Sequence, residues 1–347
     1  MQRSLVALLL MAVVLTVLPF LVSPYDLSLM GRFLAVGLVT LGLVWAWGYA
    51  GILSLGQGIF FGLGGYAIAM HLKLSALSPG ELPDFMVWNG IETLPWWWAP
   101  FRNPAFAILM AVLLPATLAF ALGILLFRRR VTGVYFSLIT QALALAFSTL
   151  LISQQGLTGG FNGLTNFTSF LGQSFADPIF QRGLYWATAL LVLLAIGGSL
   201  ALRSTHFGLV LRALREGENR TRFLGYDVAL YKAAAFSLAG FLAGLGGALF
   251  TLHAGVVSPA FVGVQPSVEF VIWTVLGGKE SFFGAVLASL LGGFVRDRVS
   301  SLLPDLWLYL VGGLFVLAVL LPALRSTYRK GAKGVVGHGR LSQGRRA

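Results

Sequence analysis

The segment RSTHFGLVLRALREGENRTRFLGYDVALYK, residues 203–232, is a polar and basic island between two long apolar stretches. It carries six Lys/Arg residues, and its only acids are Glu216, Glu218 and Asp227. In a chain that is otherwise apolar, a basic island of this kind is typical of a loop on the cytosolic side of a membrane. We therefore interpret it as a cytosolic loop that a soluble protein can grip.

The composition of the chain indicates a polytopic membrane protein. Hydrophobic residues make up 57% of it and charged residues 10%, whereas soluble domains carry about 25% charged residues. Several windows reach the roughly 20 apolar residues that cross a hydrocarbon core. The first of them, residues 5–22, follows Arg3 like a signal peptide. It is long enough to span and no small-x-small cleavage site follows it, so we interpret it as a transmembrane helix.

The charge and the cysteine count exclude other classes. A net charge of +12 suggests nucleic acid as a partner. The basic residues lie in loops and in the tail, however, where the positive-inside rule explains them, so no nucleic-acid partner is predicted. The absence of cysteine excludes a disulfide framework, thiol catalysis and cysteine metal sites. No metal site is predicted.

The apolar pattern predicts an all-α fold, a transmembrane helical bundle of about ten spans. The eighth and ninth are short, and the break at Gly277–Gly278 predicts a bent or re-entrant pair. The predicted spans are residues 4–22, 29–48, 51–71, 103–127, 132–152, 183–202, 232–253, 267–277, 282–296 and 304–323. They make up a transmembrane domain, residues 1–323, which is followed by a basic tail, residues 324–347.

The distribution of charge predicts the orientation. Sixteen of the 24 Lys/Arg residues lie in Arg128–Arg130, in the island and in the tail after Pro322. All three fall on the cytosolic side if there are ten crossings with both termini inside. Loops 72–102 and 153–182 are then external. The tryptophans at 96–98 indicate an aromatic belt at the outer interface or a platform for an aromatic substrate.

Two polar faces lie within predicted spans. Residues 48–69 place Ser54, Gln57 and Tyr66 among glycines, and Gln57 in hydrocarbon needs either a wet path or a hydrogen bond to another helix. Residues 131–147 carry Tyr135 and a polar helix face that lines a channel or a neighbouring helix. That face comprises positions 137, 140, 141 and 144, including Thr140 and Gln141.

Two further residues are candidates for contact with a substrate. Asn162 in the glycine-rich segment 157–167 serves either a turn or a ligand. Glu269 is an ionisable group at membrane depth, which is a functional hypothesis by default, or else an interfacial carboxylate. The sequence GGKE at 277–280 lacks the pattern of a phosphate loop, so no nucleotide is predicted to bind there.

The island has the pattern of a short amphipathic helix that lies across the membrane face. Ser204 or Thr205 can cap it, and Gly225 can stop it. Phe207, Leu211 and Leu214 recur at helical spacing, and the remaining polar positions point elsewhere. These polar positions are Arg212, Arg215, Glu216 and Asn219. The helix binds either anionic headgroups or a protein partner.

With these motifs, the chain resembles the permease subunits of ATP-driven importers for branched-chain amino acids. The resemblance covers residues 48–322. It rests on GYAGILSLGQGIFFGLGGYA, TGVYFSLITQALA, TGGFNGL, FGLVLRALREGENRTRFLGYDVALYK, FLAGLGGALF and VSPAF. Within that family the chain is most similar to the urea permeases, through the insertion at 81–98 and GGYAIAM. GGKESFFGAVLAS departs from the pattern usual in the amino-acid members.

The resemblance implies an importer-type permease fold and several partners. These are a sister permease, two cytosolic ATPase subunits and a periplasmic substrate-binding protein, with the chain embedded in membrane lipid. ATP and Mg are used by the ATPase subunits, so the chain itself is a transporter subunit without a cofactor, not an enzyme. Residues 205–226 correspond to the loop that docks into an ATPase. The coupling residues expected there are Phe207, Leu211, Arg212, Arg215, Glu216, Asn219, Arg222 and Gly225.

The expected function is therefore half of a transmembrane path for urea or short amides, in a bacterial inner membrane. Polar side chains can exchange the hydration of a small neutral solute without charged groups. The path candidates are Ser54, Gln57, Tyr66, Tyr135, Thr140, Gln141, Asn162 and Glu269. One alternative is a branched-chain amino acid permease, since a zwitterion needs a charge or a helix end in its path. The other is an ion-coupled carrier or passive channel that acts without an ATPase.

Overall fold

The computed structural model of the protein describes residues 2–78, 80–302, 309–310, 312–313 and 316. The described residues up to Phe294 form one compact unit, and a second unit begins at Val295. The predicted tenth span, residues 304–323, lies almost wholly outside the described residues. The basic tail, residues 324–347, lies entirely outside them.

Helices account for most of the described chain. The α-helices are α1 Gln2–Val17, α2 Pro24–Leu43, α3 Gln57–Ser75, α4 Asp84–Trp88, α5 Pro104–Arg128, α6 Val134–Ser153, α7 Gln155–Thr158, α8 Pro178–Leu202, α9 His206–Glu216, α10 Glu218–Phe223, α11 Val228–Ala254, α12 Val264–Leu276 and α13 Phe282–Leu302. Four two-residue strands accompany them. They are β1 Leu164–Thr165, β2 Ser169–Phe170, β3 Gln173–Ser174 and β4 Val256–Val257.

The helices confirm the predicted membrane bundle. Five of those described are long and apolar enough to cross a membrane: α2 with the turn that follows it, α5, α6, α8 and α11. Helix α12 has 13 residues, so the eighth span is short, as predicted. Helix α13 has 21 residues, so the ninth is longer than predicted. The predicted break at Gly277–Gly278 is present, because α12 ends at Leu276 and Gly278 has a φ of +92°.

The third predicted span is wrong at its start, while α2 and α8 each begin five residues before their predicted starts. The sequence predicts a helix from residue 51, but α3 begins at Gln57. Gly51 has a φ of +73°, which a helix does not accommodate. The backbone that follows is bonded to side chains of other helices, as described below. A helix start six residues later than predicted leaves an irregular segment inside the bundle.

Helices α2 and α11 form the centre of the bundle. The apolar windows of α2 and α11 are 78% and 67% buried, against 22% for α5. Helix α11 packs against α2, α3 and α5. A Cβ atom at Gly247 would collide with the carbonyl oxygen of Phe61, and one at Gly64 with the backbone of Gly244. The glycines therefore let helix backbones approach closely, as expected where water gives no hydrophobic drive.

A small sheet ties two connecting segments together. Strands β1 and β4 pair antiparallel, with Leu164 opposite Val257. Gly163, with a φ of +70°, passes close to the carbonyl of Val257 and to Ser258. The glycine-rich segment predicted as a turn is thus anchored beside the chain that leads into α12.

Candidate functional site

The third predicted span is interrupted at its start, because an irregular segment separates the end of the second span from α3. Helix α2 continues into a π-helical turn, Val44–Tyr49, and residues 50–56 then follow no regular helix. The Ala50 amide donates to the carbonyl oxygen of Trp45 at 3.1 Å, the five-residue spacing of a π-helix, and the Ile52 amide donates to that of Ala46 at 2.8 Å. Such turns occur frequently at functional sites.

Hydroxyl groups from α6 hold the irregular segment. The Leu55 amide donates to the Thr140 hydroxyl at 3.1 Å, and the Ser137 hydroxyl donates to the Leu53 carbonyl oxygen at 2.7 Å. Irregular backbone inside a membrane protein persists only where protein groups or water satisfy it. The polar face predicted on α6 therefore serves a neighbouring segment at Ser137 and Thr140.

The first turn of α3 meets the first turns of α12. The Gly58 amide donates to the Ser267 hydroxyl at 3.0 Å, and that hydroxyl donates to the Gly263 carbonyl oxygen at 3.0 Å. A Cβ atom at Gly58 would collide with the carbonyl oxygen of Val262, so the two segments are in backbone contact. Helix N-termini carry partial positive charge. We call this meeting point of α3, α6 and α12 the helix-start junction.

Gln57 lies at the helix-start junction and has an unused amide. Its side chain is 0% exposed, and neither Oε1 nor Nε2 has a hydrogen-bond partner among the described residues. A buried polar group without a partner costs about 1–3 kcal/mol. The amide can therefore donate to and accept from a small polar molecule that reaches it.

The other predicted path residues lie in different environments. Ser54 is buried, and its hydroxyl accepts from the Gly56 amide at 3.3 Å. Tyr66 is buried on α3, and its hydroxyl has no partner within the described part of the chain. Glu269 is 5% exposed, in α12.

Three predicted path residues lie at or near the surface. Tyr135 is 75% exposed on α6, Asn162 is exposed in a connecting segment, and Gln141 is half-buried. Of the eight candidates, the structure brings Ser54, Gln57 and Thr140 together. Sequence reasoning missed Ser267, although its position after Pro266 at the start of a short span was an available signal.

The basic island forms two short helices. Helix α9 buries Leu211 and Leu214 and exposes Arg212, Arg215 and Glu216, so it is amphipathic as the spacing predicts. Thr205 occupies the predicted N-cap position of α9, and its carbonyl oxygen accepts from the Leu209 amide at 3.1 Å. The side chains of Ser204 and Thr205 do not cap the helix, because their hydroxyls donate backwards to the carbonyl oxygens at 201 and 202.

The island continues for one more helix after α9. Gly217 separates α9 from α10, and Gly225, with a φ of +89°, lies just beyond the end of α10 rather than ending α9. Phe207 is half-buried at the start of α9.

Two arginines of α9 contact the π-helical turn. Arg212 stacks over the Tyr49 ring at 5.0 Å from its centroid and donates to the Tyr49 hydroxyl at 3.3 Å. Arg215 donates to the carbonyl oxygen of Gly48 and pairs with the Glu280 carboxylate at 2.8 Å. Glu280 lies in the turn between α12 and α13. Helix α9 is therefore joined to the interrupted span.

Helix α10 presents a surface of charged and apolar side chains. The Glu218 carboxylate accepts from Arg222 at 2.9 Å and from Lys232 at 2.5 Å. Next to this network, Phe223 is 91% and Leu224 76% exposed. A cavity of about 520 Å³ lies beside α10. Its lining includes Asn219, Arg220, Arg222 and Arg130. Exposed apolar side chains beside charged ones are typical of an interaction surface.

Membrane-length helices, an interrupted span inside them and an amphipathic helix joined to that span define a membrane transport protein of the permease class. Residues 26–319 match the family described as branched-chain amino acid transport system / permease component. The chain belongs to this family.

Named relatives agree with the family. The chain is 28% identical over 338 residues to the high-affinity branched-chain amino acid transport system permease protein LivM of Escherichia coli K12, covering 91% of this chain and 72% of that protein. It is also similar to two proteins of Methanocaldococcus jannaschii, the probable branched-chain amino acid transport permease proteins LivM and LivH. They are 24% and 28% identical, with 73% and 77% of this chain and 75% and 76% of those proteins covered. No solved structure matches the chain significantly.

Proposed function

We propose that the chain forms half of the transmembrane path of an ATP-driven importer. The observation that carries the proposal is the helix-start junction, where an interrupted span, two helix N-termini and the unpaired Gln57 amide meet inside a membrane bundle. In transporters, discontinuous helices place their ends at the substrate site. Membership of a transport-permease family supports the same proposal.

The proposed substrate is a branched-chain amino acid. The relatives described above carry that substrate in their names. A zwitterion needs a charge or a helix end in its path, and the starts of α3 and α12 meet at the junction. Their partial positive charges suit a carboxylate.

Urea or a short amide is the second candidate substrate. It is favoured by the Gln57 amide, which can donate and accept without any charge. None of the three relatives described above has a name that refers to urea. The amino acid is therefore the better supported of the two.

The proposed assembly has several further chains. A sister permease completes the path, and the LivM and LivH names in one organism support such a pair. Two cytosolic ATPase subunits use ATP and Mg, and one of them docks on residues 205–226, where α9 and α10 expose charged and apolar side chains. A periplasmic binding protein delivers substrate at loops 72–102, 153–182 and 254–266.

The proposed location is a bacterial inner membrane, with both termini in the cytosol. The positive-inside rule supports this orientation, because the basic segment 128–130 and the island then lie on the same cytosolic side. Helices α5 and α6, which are the least buried of the long spans, then face lipid or the sister permease.

Uptake into liposomes tests the proposal. The chain is purified together with the sister permease, the ATPase subunits and the binding protein of the proposed assembly. The complex is reconstituted into liposomes with ATP inside or outside the vesicle. Labelled leucine and labelled urea are then compared, with and without vanadate. We expect leucine uptake that requires ATP and that vanadate stops. Urea uptake in place of leucine would move the assignment to the second candidate. Equal uptake without ATP would instead support an ion-coupled carrier or a passive channel.

A further inference from the structure

We infer that Arg215 and Glu280 are positioning residues that pass movement of α9 to the helix-start junction. The inference rests on the proposed function and adds to it a second residue, Glu280, which lies outside the island. It also assigns the two chain segments through which the movement travels.

Three segments meet at the Arg215 guanidinium. Arg215 belongs to α9, the carbonyl oxygen that accepts from it belongs to Gly48 of the π-helical turn, and Glu280 belongs to the turn at 277–281. A Cβ atom at Gly48 would collide with the carbonyl oxygen of Lys279, so the π-helical turn and the 277–281 turn are themselves in backbone contact. A displacement of α9 therefore acts on both.

The π-helical turn and the 277–281 turn both lead along the chain to the helix-start junction. From Gly48 the chain continues through residues 50–56 to Gln57. From Glu280 it runs back through α12, whose first turns carry Ser267, the residue bonded to Gly58. The two chain routes from Arg215 thus end on either side of the helix-start junction.

Aromatic packing makes the connection stiff. Tyr49 stacks on Phe282 with ring centroids 5.3 Å apart, and Trp45 lies 5.5 Å from Phe282 and 6.2 Å from Phe207 of α9. The Trp45 ring nitrogen donates to the Ser199 hydroxyl at 2.9 Å, which fixes the ring. Because interiors are close-packed, α9 cannot move along this layer without moving the π-helical turn.

The ion pair can be released. The side chains of Arg215 and Glu280 are 31% and 57% exposed, and ion pairs this open contribute little to stability. A cavity of about 320 Å³ adjoins the pair, and a second carboxylate, Glu216, also lines it. The guanidinium therefore has room and an alternative partner when α9 is pulled.

Charge reversal tests the inference in the reconstituted complex. Three variants are compared: R215E, E280R, and both together. The readouts are ATP hydrolysed, leucine or urea taken up, and ATPase subunit retained on purification. We expect each single variant to take up about 5-fold less substrate per ATP, the lower range of a coupling change. The double variant should recover at least half of the lost uptake per ATP. Full recovery is not expected, because Glu at position 215 cannot donate to the Gly48 carbonyl oxygen.

The recovery separates this role from ATPase docking. If Arg215 acted only by touching the ATPase, E280R could not restore uptake, and the double variant would be as poor as R215E. That outcome, or wild-type coupling in both single variants, would overturn the inference. If a reversed charge prevents assembly, E280Q keeps the size of the side chain and removes only the ion pair. We expect less uptake per ATP with the ATPase subunit retained, and wild-type uptake per ATP would overturn the inference. Absence of ATP-driven uptake by the unmodified complex would instead reject the proposed function.

Discussion

At the scale of single residues, we expect a change at Gln57 to lower transport without lowering stability. Its amide is fully buried and unpaired among the described residues. Gln57→Leu therefore replaces an unsatisfied polar side chain with an apolar one of similar size. We expect the free energy of unfolding to stay unchanged or to rise by up to about 1–3 kcal/mol. Uptake should fall roughly tenfold, which corresponds to about 1.4 kcal/mol in the barrier. Thermal denaturation in detergent and liposome uptake measure the two quantities.

Gln141→Leu serves as the matched comparison for Gln57→Leu. Gln141 is half-buried on α6 and lies outside the contacts of the helix-start junction described above, so its loss should reduce uptake less. A Gln57→Leu protein that is less stable and still transports at the wild-type rate would assign Gln57 to packing alone.

Glycine at one helix contact gives a second prediction at this scale. In Gly247→Ala the new methyl group meets the Phe61 carbonyl oxygen, which belongs to a helix backbone and cannot move away cheaply. We expect a loss of about 1–3 kcal/mol, typical of overpacking. Gly198→Ala is the control, because nothing lies within 4 Å of the new atom. That change should be neutral or stabilise by up to about 1 kcal/mol. Equal melting temperatures for the two variants would contradict the close approach of α11 and α3.

At the scale of elements, α6 supports the interrupted span through its hydroxyls. Thr140→Val leaves the Leu55 amide without its acceptor, at a cost of about 1–3 kcal/mol. Thr149→Val on the same helix is the control, since that hydroxyl is exposed and, among the described residues, bonds only to Leu145 of its own helix. It should change stability by less than about 0.5 kcal/mol. Denaturation in detergent compares the two variants, and equal losses would show that the irregular segment does not depend on α6.

The elements also show where sequence reasoning stops. Apolar stretches and their spacing predicted most helices, because each span must satisfy its own backbone in lipid. The length of the break before α3 was missed, because GILSLG continues the apolar run without a proline or a charge and the predicted gap covered only residues 49–50. The irregular segment before α3 is held by the hydroxyls of Ser137 and Thr140, which lie about 85 residues away in the chain. No local pattern in the sequence reveals such a contact.

The same limit applies to the candidate site. Gln57 and Thr140 could be chosen from sequence, since polar groups in apolar spans need partners. The surroundings of Tyr135 could not be predicted, because a helical face does not show which neighbour covers it; the structure leaves Tyr135 75% exposed. In the sequence, Glu280 stands out only as part of GGKE, which lacks the pattern of a phosphate loop. Its pairing with Arg215 joins residues 65 positions apart and depends on how α9 packs.

At the scale of the whole molecule, the proposed orientation can be tested with introduced thiols, because the chain has no cysteine. Phe223→Cys and Phe161→Cys are a matched pair, both replacing an aromatic side chain that is at least 78% exposed. With the island in the cytosol and segment 157–167 outside, a membrane-impermeant maleimide added to intact spheroplasts should label position 161 and spare position 223. Inside-out vesicles stripped of peripheral proteins should give the opposite pattern.

The labelling pattern decides between arrangements because the island and the segment at 157–167 are separated by one membrane helix, α8. Labelling of both positions from the same side would mean that α8 does not cross, although it is 25 residues long and apolar. Labelling of position 223 alone from outside would place α9 and α10 away from any cytosolic ATPase and would end the case for a powered importer. A reporter fused after Lys330 should agree with the cytosolic side, since the predicted ten crossings return the chain there.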